Sequence, residues 1–214
     1  KAIALTPADA DRMVAAAKKS GKLFMVAHVL PFFPEFAYAA QVIRAGKFGK
    51  LVGGHFKRVI SQPDWSSDIG DASKTGGAAV DLHVHDTHFI GLVAGVPRSV
   101  FATGVLQDGT VTYLTTSYLY GPGGPAITCA SGAVAMKARP FVHGYEIYLE
   151  RATLVYESGV CPLTVLHADG ASEQPQLPGG AEATTAFTLE LQAAVEGVNA
   201  GQAPDLLSGP LARD

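Results

Sequence analysis

The sequence predicts an α+β fold: a large open, mainly antiparallel sheet with helices on one face, preceded by a helix–strand stub. Three observations predict it. After Pro97 the chain becomes a run of short apolar strands separated by turns containing Gly or Pro, the grammar of hairpins in one sheet. Ahead of that run lie two helical patterns, 35–45 and about 78–94, suited to covering one sheet face. Residues 1–28 hold a capped helix and one apolar run, a unit typical of a parallel sheet covered by helices.

Thr6-Pro7 opens the first helix. The Thr6 hydroxyl can cap free N–H groups, Pro7 suits the first turn, and Asp9 and Asp11 suit the positive end of the dipole. Met13, Ala16 and Ala17 form its expected apolar face, Lys18 and Lys19 suit the C-terminal end, and Gly21 stops it. Lys22–Ala27 reads as a short, fully buried strand. Pro31-Phe32-Phe33-Pro34 breaks the pattern and starts a helix over Glu35–Ala45, ended by Gly46. Residues 49–61 form a strand with Leu51, Gly53, His55, Lys57 and Val59 on one face. Val52, Phe56, Arg58 and Ile60 lie on the other. The loop beyond holds Trp65, the only tryptophan.

Gly76-Gly77 opens a helix that runs to about Ala94 and closes at Gly95-Val96-Pro97. Ser99–Leu106 and Thr110–Tyr120 meet across Gln107-Asp108-Gly109, a hairpin signal. Ala126–Met136, Tyr145–Glu150, Ala152–Tyr156 and Leu163–His167 are the further strands. Ala183–Ala200 closes the pattern as an amphipathic helix with Phe187, Leu191, Val195 and Val198 inward. Lys1 in first place and Leu207–Asp214, which read as the entry to another helix, make this an expected portion of a longer protein.

Bulk properties narrow the function classes. Among 214 residues only 16% are charged, and the mean hydropathy of +0.20 belongs to a chain with a buried core. A net charge of −3 offers no basic stripe for nucleic acid, and no apolar run approaches the ~20 residues of a membrane helix. Cys129 and Cys161 lack metal or redox spacing and read as free buried thiols in a reducing, cytoplasmic compartment.

The chemistry concentrates in the stretch from Thr75 to His88, which holds three histidines and two aspartates behind two glycines. At about 100° per residue, a helix brings Asp81, His85 and His88 within about 60° of one another, while His83 and Asp86 point elsewhere. A carboxylate and two imidazoles on one face suit proton transfer or a metal. His83-x-His85-Asp86-x-His88 approaches the H-x-H-x-D-H pattern of metallo-β-lactamase-like hydrolases, but its aspartate comes one position early. On a helix His83 and His85 diverge by about 160°, so zinc would need Asp81, His85 and His88 with further partners that the sequence does not identify. Acid–base chemistry needs less: an imidazole titrating near neutrality and a carboxylate one turn away. Trp65, His28, Tyr118, Arg139, His143 and Tyr145 are softer candidates for lining a sugar or cyclitol pocket. Tyr113, Thr115 and Ser117 are candidates for a sheet-to-sheet subunit contact.

In order and spacing, the chain resembles the C-terminal part of the Gfo/Idh/MocA oxidoreductases, the family of glucose–fructose oxidoreductase and inositol dehydrogenase. The resemblance begins at Lys1, which matches the lysine of a family E-K-P element. It runs through Thr6-Pro7-Ala8-Asp9, Ala17–Gly21 and Ile43–Lys50, and is sharpest at Gly76-Gly77-x-x-x-Asp81-x-x-x-His85. It implies that residues 1–28 are the tail of an N-terminal NAD(P)-binding Rossmann domain and that 29–214 form a substrate-binding and oligomerisation domain. It further implies a homodimer or homotetramer through the open sheet, a sugar or polyol substrate, and NAD or NADP held mainly by the domain ahead of this chain. Lys1, Asp81 and His85 take the catalytic positions, and His85 is the residue that exchanges the hydroxyl proton. Lys1, Gly76 and Gly77 face the cofactor; His28, Trp65, His88 and Tyr145 are expected at the substrate, with no metal. Departures at His83, at His88 and at His28–Pro31 imply an altered substrate pocket. Two alternatives remain: NAD-assisted glycoside cleavage, which would share Lys1, Asp81 and His85, and a non-catalytic sugar-binding or oligomerisation module, which would not need His85.

Overall fold

Eight strands pair into one sheet: β1 (Leu51–Ser61), β2 (Ser99–Gln107), β3 (Thr110–Leu119), β4 (Ala126–Ala135), β5 (Val142–Leu149), β6 (Ala152–Glu157), β7 (Cys161–His167) and β8 (Ser172–Glu173). Their order is β2-β3-β4-β1-β5-β6-β7-β8. The structure is a computed structural model that describes residues 1–64, 68, 71–177 and 183–214. Every neighbouring pair is antiparallel except β1 and β4, which run parallel with Arg58 opposite Ser131. The β2–β3 hairpin turns through Asp108 at φ 50° and Gly109 at φ 76°, the two left-handed residues that a tight two-residue loop needs.

The helices are α1 (Pro7–Ser20), α2 (Pro34–Arg44), α3 (Ala72–Thr75), α4 (Ala78–Ala94), α5 (Ala183–Ala200) and α6 (Gly209–Arg213), with 3₁₀ turns at Leu30–Phe32 and Asp205–Leu207. Alternation on β1 turns Gly54, Phe56, Arg58 and Ile60 inward, and α4 lies over β4, β3 and β1 with α2 beside it. Phe36 of α2 meets Phe89 of α4 and Tyr145 of β5 edge-on, at 5.0 and 5.1 Å between ring centres. Each such buried aromatic contributes about 1.5–3 kcal/mol. The other sheet face carries polar pairs, among them His55 with Thr128 at 2.6 Å and Thr103 with Thr115 at 2.9 Å. No helix among the described residues is long and apolar enough to cross a membrane.

Three local expectations need correction. Lys22–Ala27 is extended but does not join the sheet; its pairing is one antiparallel bridge, Met25 to Ser208, and of these residues only Val26 is buried. A strand needs a laddered neighbour, and among the described residues this stretch pairs only with Leu207 and Ser208. On α1, Met13 and Ala16 are exposed and Ala10 is the buried position, because α6 is the element packed against that helix. On α5, Phe187, Leu191, Val195 and Val198 are exposed, and Ala186, Glu190 and Gly197 face inward. The reason is closeness: a Cβ on Gly197 would come within 2.6 Å of Pro204 Cδ, so only a small side fits there. Cys129 and Cys161 are free, the first buried and the second half-buried.

Glycine plays two opposite roles on α4. Gly77 has φ +92°, and a Cβ there would lie 2.6 Å from Thr110 Cγ2; Gly91 sits mid-helix, and a methyl group added to it would meet nothing within 4 Å. Gly77→Ala is expected to destabilise the domain by about 1–3 kcal/mol, and Gly91→Ala to stabilise it by about 0.5–1 kcal/mol. Denaturant unfolding of the two variants checks both signs.

Candidate active site

The start of α4 is built by the two glycines: Gly76, at φ 79°, closes α3, and Gly77 takes the N-cap position of α4. The close approach that requires glycine at 77 is to Thr110 of β3. From that start the helical turn sends its polar residues two ways. His83 and Asp86 face the sheet, and Asp81, His85 and His88 face the N-terminal segment.

Lys1 reaches across 80 residues to Asp81. Its amine pairs with the carboxylate and also donates to the Asp81 carbonyl at 2.7 Å. Burial lowers the pKa of Lys1, while the bond to Asp81 and its charge pull it back up and Arg58 lowers it further. His85 is half-buried and has no hydrogen-bond partner among the described residues. Burial holds its pKa well below the ordinary imidazole value, and the nearby cations Arg58 and Lys1 add to the effect. At neutral pH this ring is therefore uncharged.

His28 lies flat against His88, with ring centres 3.9 Å apart and planes 4° from parallel. Burial pushes His28 down to about 3, helped by His88, and His88 down to about 4. The two rings wall a cavity of about 220 Å³ that also meets Thr87, Tyr118 and Leu211. A shallower groove of about 250 Å³ runs along Lys1, Thr75 and Asp81.

The structure thus brings Lys1, Asp81, His85, His88 and His28 to one side of α4. Tyr145 is not among them: it is 4% exposed in the aromatic core, and its hydroxyl donates to the Glu35 carbonyl at 2.7 Å. Its strand alternation points it beneath α2, so it is a packing residue. Trp65 lies outside the described residues. No group of three His, Cys, Asp or Glu side chains among the described residues is close enough to hold a metal.

Beneath the helix, sequence reasoning named Tyr118 as a pocket candidate but gave Arg58, Asp86 and Ser131 no role. Arg58 and Asp86, 5% and 0% exposed, form a forked ion pair with Nε–Oδ2 at 2.8 Å and Nη2–Oδ1 at 3.1 Å. His83 Nδ1 bonds Ser131 Oγ at 2.9 Å, and the Tyr118 hydroxyl lies 3.2 Å from His83 Nε2 and 2.7 Å from Thr87 Oγ1. The available signal was Arg58 itself, a charge at an inward position between Phe56 and Ile60 that demands a buried partner.

Comparison with known proteins places these observations. Residues 36–155 match the GFO/IDH/MocA C-terminal domain. The 2,7-anhydro-N-acetylneuraminate hydratase of Mediterraneibacter gnavus is 32% identical over 111 residues, covering 49% of this chain and 28% of that protein. The trans-1,2-dihydrobenzene-1,2-diol dehydrogenase of Bos taurus is 30% identical over 139 residues, covering 62% of this chain and 41% of that protein. The matches therefore span less than half the length of these relatives. Levoglucosan dehydrogenase in complex with NADH and levoglucosan has the same fold, with a TM-score of 0.86 at 17% identity over 100% of this chain and 66% of that one.

The buried imidazoles give the domain an acid limit. His28 and His143 are held at about 3 and His88 at about 4, in each case chiefly by burial. Below the ordinary imidazole value near 6.5 the unfolded chain binds protons that the folded chain refuses. Their contribution is fully present above about pH 6.5 and falls by about 1.4 kcal/mol per pH unit for each ring, until the folded values are reached. Unfolding midpoints measured from pH 7.5 to 5 are expected to drop steeply below 6.5, and His143→Phe to flatten the slope; equal midpoints at pH 7 and 5 would refute this.

Proposed function

This chain is a member of the Gfo/Idh/MocA family through its C-terminal domain, and from that premise we propose that it is the substrate-binding and oligomerisation domain of an NAD(P)-dependent sugar or polyol oxidoreductase. The observation that carries the reading is the convergence of the Lys1 amine, the Asp81 carboxylate and the neutral His85 imidazole on one stripe of α4. The relative named as a diol dehydrogenase and the structural neighbour named as holding NADH and levoglucosan support it.

The dinucleotide is assigned to a Rossmann domain ahead of Lys1, with residues 1–28 as its tail. The sequence has no G-x-G-x-x-G after a strand, the pattern of a dinucleotide-binding turn. Lys1 and the Gly76–Gly77 turn are the parts of this chain that would face the nicotinamide, which when bound accepts or supplies the hydride. Lys1 donates a hydrogen bond to the reacting oxygen of the substrate. Asp81 holds Lys1 in place and offers its remaining lone pairs to an adjacent hydroxyl. His85 takes the hydroxyl proton during oxidation and returns it during reduction. His28 and His88 wall the substrate side with uncharged rings. Polar pairs on the open sheet face, and the exposed apolar residues of α1 and α5, suit contacts with a second copy and with the preceding domain.

A second reading rests on a relative's name, a hydratase of an anhydro-sugar. In that reading the same proton donor and acceptor would serve in this chain, and because adding water is redox-neutral NAD(P) would show no net change. In the full-length protein His85→Asn is expected to lower kcat by about 10²–10⁴-fold with a small change in KM, and Lys1→Ala to lower kcat/KM similarly, while residues 1–214 alone stay inactive. Sugar turnover assayed by NAD(P)H formation checks this. Full activity of His85→Asn would sink the assignment, and sugar conversion without net NAD(P)H would move it to hydration.

A further inference from the structure

We propose that Arg58 and Asp86 are positioning residues for the reaction assigned above: their buried ion pair, with the His83–Ser131 bond, fixes the turn of α4 that carries His85. The inference rests on the His85 reading and adds to it a pair of residues that touches neither substrate nor cofactor.

Stability does not explain the pair. A buried ion pair loses hydration that its attraction seldom exceeds, and an apolar pair of like volume usually packs as well. Arg58 sits between Phe56 and Ile60 on the helix-covered face, where an aliphatic residue would extend the core. Instead its guanidinium grips both oxygens of Asp86, the residue after His85. Two positions before His85, His83 is held by Ser131 of β4. Two positions after it, Thr87 is held by Tyr118 of β3. Residues 83, 86 and 87 are thus bonded to three adjacent strands, since Arg58 and Ser131 are register partners on β1 and β4 and Tyr118 is on β3. The His85 ring itself has no hydrogen bond among the described residues. Its place is set by the backbone that its neighbours clamp, which is preorganisation from a supporting layer.

The second effect is electrostatic. The charged and titratable groups that act on His85 are Arg58 from β1, Lys1 with its α-amino group, and His28 before the Leu30–Phe32 turn; Asp81, Asp86 and His88 share its helix. Among these the Arg58 charge is the largest influence on the ring after burial, and it disfavours the imidazolium.

The test uses the full-length protein. Arg58→Gln with Asp86→Asn keeps shape and a neutral hydrogen-bonded pair but removes the charges; Arg58→Lys keeps the charge and loses the fork. The double variant is expected to lose at least about tenfold in kcat, with KM changed less than about twofold, and to move the acid limb of kcat/KM up by about one pH unit. Arg58→Lys is expected to lose kcat with the acid limb in place, which a purely structural pair would not separate. If the double variant fails to fold, Arg58→Lys decides alone, and wild-type kcat in it overturns the proposal. Wild-type kcat and pH profile in a folded double variant also overturn it, while an inactive His85→Asn leaves the His85 reading standing. An active His85→Asn removes that reading itself.

Discussion

A helix that carries charged and polar side chains toward a sheet can rest there only if every inward group finds a partner. That constraint governs α4. Asp86 is met by Arg58, His83 by Ser131 and Tyr118, and Thr87 by Tyr118. With the inward side satisfied, the helix is held in one rotation about its axis, and the same rotation points Asp81, His85 and His88 at Lys1 and His28. The parallel pairing of β1 with β4 matters here, because it sets Arg58 and Ser131 side by side beneath the helix.

The N-terminal segment then completes the site from outside the sheet. Residues before the Leu30–Phe32 turn pack with the C-terminal residues: Val26 donates to the Leu207 carbonyl at 2.9 Å, and Arg213 grips Asp11 at 2.6 Å. This paired end of the chain lies along α4 and delivers Lys1 to Asp81 and His28 to His88. Burial keeps these imidazoles uncharged at neutral pH. The same burial limits stability in acid.

Much of this was legible in the sequence. The limits of α4, its two diverging polar stripes and the β2–β3 hairpin follow from local signals: glycines at both helix ends, a 3.6-residue period and an Asp-Gly turn. The resemblance at Gly76-Gly77-x-x-x-Asp81-x-x-x-His85 agrees with the family to which residues 36–155 belong. What stayed hidden depends on partners distant in the chain. The inward charge at Arg58 was visible, but not that Asp86, 28 positions on, would meet it. Tyr145 resembled a pocket residue because alternation does not say which face lies beneath α2. The stripe on α5 was real, yet periodicity cannot tell whether a stripe turns toward the core or away, and the close return of Pro204 to Gly197 turned the small side in.

In the proposed assignment Lys1 and His85 address one reacting oxygen. A crystal structure of the full-length protein with NAD(P) and a bound sugar or polyol measures it directly. One substrate hydroxyl or carbonyl oxygen is expected within about 2.6–3.2 Å of both the Lys1 amine and a His85 ring nitrogen. A substrate seated at the nicotinamide with neither group in hydrogen-bond reach would contradict it.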